Sequence, residues 1–174
     1  RVLIALDENF EEVIHDSGMQ ADLDPLWYQP EIQLQPRTRY FWKVIAKNAG
    51  GEEFSSEIQY FETAKEEEQW TGKWIEPARQ MERMPLVRKL FRLPAKPIRM
   101  ARVYATGLGI YELYLNGEKV GDEYLAPGFH SYDFWQQYQT YDVTEALQVG
   151  GNAIGFMLGD GWFKGRFGFD GGYE

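Results

Sequence analysis

A predicted hairpin in residues 107–122 constrains the fold more than any other feature of the sequence. Apolar side chains alternate with polar ones there, and one face of the strand would carry Tyr111, Leu113 and Leu115. Asn116-Gly117 then supplies the two residues with positive φ that a type I′ turn requires, so Val120 lies on the returning strand. The pattern predicts an antiparallel sheet that covers a hydrophobic core with one face.

The charge balance limits the partners that we expect for the chain. Its 174 residues include 18 basic and 27 acidic side chains, and the net charge of −9 disfavours a nucleic-acid partner. No apolar run is long enough for a transmembrane helix, so we expect no membrane partner. Cysteine is absent, which excludes disulfides and leaves the compartment open between cytoplasm and secretion.

Residues 1–64 are predicted to form a partial β-sandwich domain. An alternating strand places Tyr40, Trp42 and Val44 on one face. The spacing Leu34-x-Pro-x-Thr-x-Tyr40 resembles the tyrosine corner of fibronectin type III domains, in which the tyrosine hydroxyl bonds to upstream backbone. Any β-sandwich with an aromatic core strand is the alternative. The charged, non-periodic run that follows predicts a linker over residues 65–73.

Residues 74–174 are predicted to form a second β-sandwich domain that contains the hairpin. Strands are expected at 86–93 and 100–106, followed by a capped helical turn at 141–147. The apolar run 153–158 predicts a strand buried on both faces. Because the chain starts without Met on a strand and stops within an aromatic-rich segment, we expect a fragment of a longer protein.

Five motifs of this second region, in this order, resemble the N-terminal region of bacterial α-L-rhamnosidases. They are Asn116-Gly-x-x-Val-Gly-Asp122, Leu125-x-Pro-Gly128, Tyr138-x-Thr-Tyr-Asp-Val-Thr144, Gly151-Asn152-Ala153 and Leu158-Gly-Asp-Gly-Trp162-x-x-Gly165-Arg166. The resemblance implies an all-β fold of two sandwich domains, first fibronectin-like and then a galactose-binding-like jelly roll, truncated at its C-terminal end. It also implies that the catalytic (α/α)₆ barrel, with its acid and base, lies outside this chain.

The residues themselves indicate no complete catalytic constellation. His15 and His130 fall in predicted solvated loops, without a cysteine or metal-ligand spacing near them. Ser131 adjoins His130, but neighbours on a loop do not point at each other as a nucleophile and its base must. Gly159-x-Gly161 lacks the helix and the Lys-Ser/Thr pair of a phosphate-binding loop. We therefore regard the chain as a fragment of a glycoside hydrolase rather than a self-contained hydrolase.

Sugar binding is the chemistry that the residues favour. A pyranose is held by carboxylates that bind vicinal hydroxyls and by an aromatic ring that covers its C–H face, and both kinds of side chain occur near predicted loop ends. The candidate set is Asp122, Glu123, Asp133, Asp160 and Trp162, with Asp170, Tyr132 and Trp135 nearby. The resemblance places Asp122 first and implies that it could ligate calcium, because some related sandwiches hold rhamnose through that ion. In the alternative interpretation these residues cap turns or pack against the catalytic domain.

Three functions therefore remain open on the sequence: a carbohydrate-binding region, a scaffold for the catalytic domain, and an independent hydrolase. The expected partners are a rhamnose-containing glycan and the catalytic domain of the same polypeptide. Exposed sheet edges in a partial sandwich also predict self-association of the fragment. The resemblance implies a bacterial source, with the compartment undetermined.

Overall fold

The computed structural model of the chain describes residues 1–77 and 84–164, together with two short backbone strands at 166–167 and 172–173. Every regular element in this part of the chain is a β-strand, which confirms the predicted all-β class. The chain divides into two compact units, Arg1–Lys73 and Trp74–Glu174. Asp170 and the side chain of Arg166, both singled out above, lie outside the described residues. No helix in the described ranges is long and apolar enough to cross a membrane.

The first unit is a single antiparallel sheet built around one long strand. Its strands are β1 (Val2–Ala5), β2 (Val13–Asp16), β3 (Arg39–Lys47), β4 (Glu53–Ser55) and β5 (Gln59–Glu62). On one side β3 pairs with β1, which in turn pairs with β2, and on its other side β3 pairs with both β4 and β5. The charged segment after β5 is tied back to this unit, since Arg37 pairs with Glu68 at 2.8 Å.

The core of the first unit centres on Tyr40, which is almost fully buried and stacks on Phe61 with ring centroids 5.4 Å apart. The hydroxyl of Tyr40 accepts a hydrogen bond of 2.7 Å from the backbone N–H of Gln35, as the tyrosine-corner spacing predicts. Trp42 and Val44 share its face but are only half-buried, so the predicted burial of that face holds fully for Tyr40 alone. The same hydrogen bond would occur in other sandwiches, so the fibronectin assignment stays a prediction.

The second unit places a four-stranded sheet beside a two-stranded one. Its strands are β6 (Leu86–Leu93), β7 (Arg102–Ala105), β8 (Ile110–Leu115), β9 (Glu118–Val120), β10 (Gln139–Asp142), β11 (Gly150–Gly159), β12 (Arg166–Phe167) and β13 (Gly172–Tyr173). The larger sheet has the order β6-β11-β8-β9, and β10 pairs with β7. All these pairings are antiparallel.

The predicted hairpin is present with the expected turn. Asn116 and Gly117 have φ values of 53° and 96°, and Val120 pairs with Leu113. Leu113 lies in the core of this unit, and the buried members of that core are Ala105, Tyr111, Leu113, Leu115, Ala126, Tyr141 and Val143. The alternation in β8 therefore predicts correctly which face of the strand is buried, because a strand with one apolar face is stable only with that face towards the core.

Two predicted elements differ from the structure. The strand expected at 153–158 runs over Gly150–Gly159 and is buried on one face only, since Ile154 packs towards the core while Met157 on the other face is 46% exposed. The expected helical turn is instead the end of β10 followed by a non-helical turn. There the Asp142 carboxylate accepts from the backbone N–H of Thr144 at 3.1 Å.

Candidate functional site

The long connection between β9 and β10 forms one end of the second unit. The backbone N–H of Tyr111 in β8 donates to the carbonyl of Ala126 at 2.7 Å, which fastens the connection to the edge of the hairpin. Leu125 and Gly128 both have positive φ, and the N–H of Gly128 donates to the Leu125 carbonyl at 2.9 Å. The Leu125–Gly128 motif therefore acts as a tight turn that presents the residues after it.

His130 lies at the centre of this connection and is fully buried, so its predicted place in a solvated loop is wrong. Its Nδ1 accepts a 2.8 Å hydrogen bond from the backbone N–H of Gln137, which leaves the proton of the neutral ring on Nε2. Burial lowers the pKa of His130, and a contact with the backbone of Gly107 opposes part of that shift. Nε2, which carries the proton, has this weak contact with the Gly107 backbone and no hydrogen bond of full geometry within the described chain.

Aromatic side chains surround this histidine. We call the group the aromatic cluster, and its members are Phe129, His130, Tyr132, Trp135, Trp162 and Phe163. Trp162 meets Phe129 edge to face with centroids 6.3 Å apart, and Tyr132 lies 5.5 Å from the His130 ring. Phe129, Trp135 and Trp162 are about half exposed, at 63%, 53% and 49%. Exposed rings next to a buried polar centre suit a ligand that has both C–H faces and hydroxyls.

A second buried polar atom without a partner in the described residues lies in the same cluster. It is the hydroxyl of Tyr132, adjacent to the ring of His130. Buried polar atoms are nearly always hydrogen-bonded, and two such atoms in one place mark a position where an ordered water would be stabilised. Sequence reasoning named Tyr132, Trp135 and Trp162 but missed Phe129, Phe163 and His130, whose positions depend on how the connection folds.

The candidate carboxylates divide into two groups. Asp133 lies in the turn between Ser131 and Trp135, and Asp160 directly follows β11, two residues before Trp162, so both are near the aromatic cluster along the chain. Both are exposed. The Trp162 ring reaches Phe129, whereas nothing in the described residues joins Asp160 or Asp133 to each other.

Asp122 and Glu123 lie instead at the end of the β8–β9 hairpin. Both are exposed, and the Lys119 ammonium donates to the backbone carbonyl of Glu123 at 3.0 Å while it lies 4.0 Å from the ring centre of Tyr124. The charge of Glu123 contributes to the raised pKa of Tyr141, for which burial is the main cause. The described contacts of this pair are therefore with the hairpin and β10 rather than with the aromatic cluster.

The fit of calcium to Asp122 can be judged from the ligands around it. Calcium takes six to eight oxygen ligands, several of them carboxylates as a rule. The described chain contains no group of three or more His, Cys, Asp or Glu side chains arranged to hold a metal ion. Asp122 and Glu123 would supply two of the oxygen ligands, and calcium at Asp122 stays a prediction.

The comparisons with known proteins cover nearly the whole chain. Residues 1–67 match the family model described as the Rha78A-like N-terminal immunoglobulin domain, and residues 96–174 match that of the α-L-rhamnosidase N-terminal domain. An α-L-rhamnosidase of Formosa agariphila is 33% identical over an alignment 183 positions long, which covers 91% of this chain and 19% of that protein. One from Streptomyces avermitilis is 47% identical over 88 residues, which is 51% of this chain and 8% of that protein.

The structural comparison agrees with the sequence matches. The crystal structure of native α-L-rhamnosidase from Aspergillus terreus matches with a TM-score of 0.77 and 28% identity, over 99% of this chain and 21% of that one. The chain thus spans about a fifth or less of the length of the relatives it matches. The chain belongs to the α-L-rhamnosidase family and corresponds to the N-terminal domains of its members.

Proposed function

We propose that this chain is a non-catalytic, accessory region of an α-L-rhamnosidase and that its second unit binds a rhamnose-containing glycan at the aromatic cluster. The relatives are about five times longer, which leaves room for a separate catalytic domain. His130 is not placed as a general base, because its Nδ1 already accepts from Gln137 and its ring is buried.

The observation that carries the sugar-binding proposal is the group of half-exposed rings that adjoins a buried polar centre. The exposed rings of Phe129 and Trp162 can cover the apolar face of a pyranose. The Tyr132 hydroxyl and Nε2 of His130 are buried beside these rings, so a bridging water would connect them to a sugar hydroxyl. Asp133 and Asp160 at the rim can accept from further hydroxyls. Because these groups are few and lie near a surface, we expect affinity on the order of 0.1–1 mM for a single sugar.

Titration calorimetry with L-rhamnose on the full 174-residue chain tests the proposal. Trp162→Ala should lower the affinity at least about tenfold, or roughly 1.4 kcal/mol, because the ring contact is lost. Trp27→Ala is the matched control, since Trp27 is 84% exposed in the first unit and should leave binding unchanged. Absence of heat at millimolar rhamnose, with no shifted amide signals, would refute sugar binding.

The calcium expectation is tested in the same titration. Because no group of three or more His, Cys, Asp or Glu side chains is arranged for a metal in the described chain, we expect a chelator to leave the affinity for rhamnose unchanged. Asp122→Ala should likewise have little effect, whereas Asp160→Ala should weaken binding. Loss of binding on chelation would show that a metal ion takes part in rhamnose binding, and Asp122 would then again be the first candidate ligand.

A scaffold role is the second candidate, and the exposure of large apolar side chains on the same connection favours it. Phe134 and Tyr124 are 88% and 80% exposed. Large apolar side chains that are exposed together are typical of a protein–protein contact surface. In this alternative the connection packs against the catalytic domain of the same polypeptide. Phe134→Ser in a full-length rhamnosidase should then lower thermal stability, whereas a pure sugar-binding connection would show no change in stability.

A further inference from the structure

One segment of the second unit carries positive charge in an otherwise acidic chain. Between residues 84 and 111 there are six basic and no acidic side chains, so all 27 acidic residues lie elsewhere. Of the six, Arg102 pairs with Asp142 at 2.7 Å. The other five are exposed and form no ion pair within the described ranges, and they are Arg88, Lys89, Arg92, Lys96 and Arg99. By contrast, ion pairs neutralise Arg1, Arg37, Arg39, Lys47, Lys65 and Lys119.

The arrangement of β6 sets two of these cations on the outer face of the sheet. Phe91 in β6 packs towards the core, so the alternating residues Arg88 and Arg92 point away from it. They are four residues apart, which corresponds to about 13 Å along a strand. Since side chains on a strand stand roughly perpendicular to the sheet, this spacing favours an extended ligand with repeated negative charges.

Next to these arginines the neighbouring strand carries glycines, so the surface of the sheet is recessed there. Arg88 pairs with Gly155 of β11, which pairs in turn with Tyr114 of β8, and Arg92 pairs with Gly151. Because neighbouring strands lie about 4.8 Å apart, Arg88 and Tyr114 stand about 10 Å from each other with only Gly155 between them, and Ala153 separates the two glycines of β11. The Tyr114 hydroxyl donates to Glu112, whose carboxylate also receives Lys119, so the far wall carries little uncompensated negative charge.

We propose that this surface, the β6 groove, binds an anionic polysaccharide that carries uronate or sulfate groups. Arg88 and Arg92 would pair with the charged groups, and Tyr114 would contact a sugar ring across Gly155. The acidic residues outside the segment repel a long, densely charged nucleic acid, while a polysaccharide with spaced charges can follow the groove. The proposal is independent of the rhamnose site, because it shares no residue with the aromatic cluster.

Affinity electrophoresis of the full chain in gels containing polygalacturonate, dextran sulfate or neutral dextran tests the β6 groove. We expect retardation by the anionic polymers alone, weakened by added salt. The double variant Arg88→Gln/Arg92→Gln should lower the affinity at least about tenfold. Lys47→Gln/Lys73→Gln removes the same charge from the first unit and should stay within about twofold of the parent chain. Trp162→Ala should bind these polymers normally even if it no longer binds rhamnose.

Four outcomes would overturn the proposal. The first is no retardation by either anionic polymer at low salt. The second is an equal loss of affinity in both double variants, which would indicate a response to net charge alone. The third is equal retention of single-stranded DNA, which would make the groove a general polyanion surface. If the arginines serve only to keep the edge strand β6 from pairing with other chains, their removal should increase aggregation without changing polysaccharide binding. That result would also refute the proposal.

Discussion

His130 shows how one residue can organise a connection that the sequence leaves undefined. The ring is buried, and its Nδ1 accepts a hydrogen bond from the backbone N–H of Gln137, which holds the two ends of segment 130–137 together. Protonation would place a second N–H against the Gln137 donor and a charge in an apolar cluster. We therefore expect the charged form to be incompatible with the folded connection.

The lowered pKa of His130 predicts a loss of stability in mild acid. Above the unfolded pKa of about 6.5 both states are neutral and the group adds no pH dependence. Below it the unfolded state binds the proton first, so the free energy of unfolding falls until the lowered folded pKa is reached. One proton gives a slope of at most about 1.4 kcal/mol per pH unit.

Urea unfolding at a series of pH values between about 7.5 and 5 measures this slope. His130→Gln should be less stable than the parent at neutral pH but should lose less stability on acidification. Asp16 does not interfere, because its pair with Arg1 lowers its pKa to about 2 and its contribution is lost at lower pH. Identical slopes in parent and variant would contradict the assignment of this dependence to His130.

Sequence reasoning failed at His130 and succeeded at Tyr40 for a physical reason. The hydrogen bond of Tyr40 is to backbone only five residues away, so local spacing determines it. The burial of His130 depends on Trp135 and on the packing of Tyr132 against Phe163 beyond β11, which no local pattern records. A histidine between Phe129 and Ser131 is consistent with either environment until those contacts are known.

At the scale of elements, the β8–β9 hairpin is held by an amide clamp on β11. The side chain of Asn152 is buried, and its Oδ1 accepts from Asn116 Nδ2 at 2.9 Å and from the Gln148 N–H at 3.0 Å. Its Nδ2 donates to the Gln148 carbonyl at 2.7 Å. Asn116 Oδ1 in turn accepts from the backbone N–H of Ala153. The Gly151-Asn152-Ala153 motif therefore joins the hairpin turn to β11 rather than serving a ligand.

Asn152→Ala should lower the free energy of unfolding by about 2–3 kcal/mol, because it leaves buried donors and acceptors without partners. Gln148→Ala is the matched control. Its exposed side chain makes one bond, to the Gly151 carbonyl, and its loss should change stability by less than about 1 kcal/mol. Chemical unfolding of the two variants distinguishes them. Equal effects would show that the clamp contributes no more than an exposed hydrogen bond.

The strand β11 marks the limit of prediction at this scale. An apolar run such as Ala153–Leu158 indicates a strand but cannot say whether one or both faces are covered. The outer residues Ala153 and Gly155 are small, and Met157 is the one that exposes a large side chain. Which face is covered depends on the β7–β10 pair, and that pairing is non-local. The open outer face is the one that forms the floor of the β6 groove.

At the scale of the whole molecule, exposed apolar surface and net charge act against each other. In the first unit the described strands form one sheet, in which Phe54 of β4 and Tyr60 of β5 are 53% and 61% exposed. Val13 of β2 is also exposed, at another edge of the same sheet. Such edges favour pairing between copies, while a charge of −9 on each chain opposes close approach.

We therefore expect the isolated chain to self-associate reversibly, and more strongly as salt screens the repulsion. Sedimentation velocity over about two orders of magnitude in concentration, at low and high salt, measures this. Phe54→Ser should weaken association, whereas Arg88→Gln/Arg92→Gln should leave it unchanged if apolar edges of the first unit are responsible. Association that weakens with salt would instead point to pairing of the β6 cations with acidic residues of a second copy. A monomer under all conditions would contradict both, and would mean that the exposed edges are too short or too charged to pair.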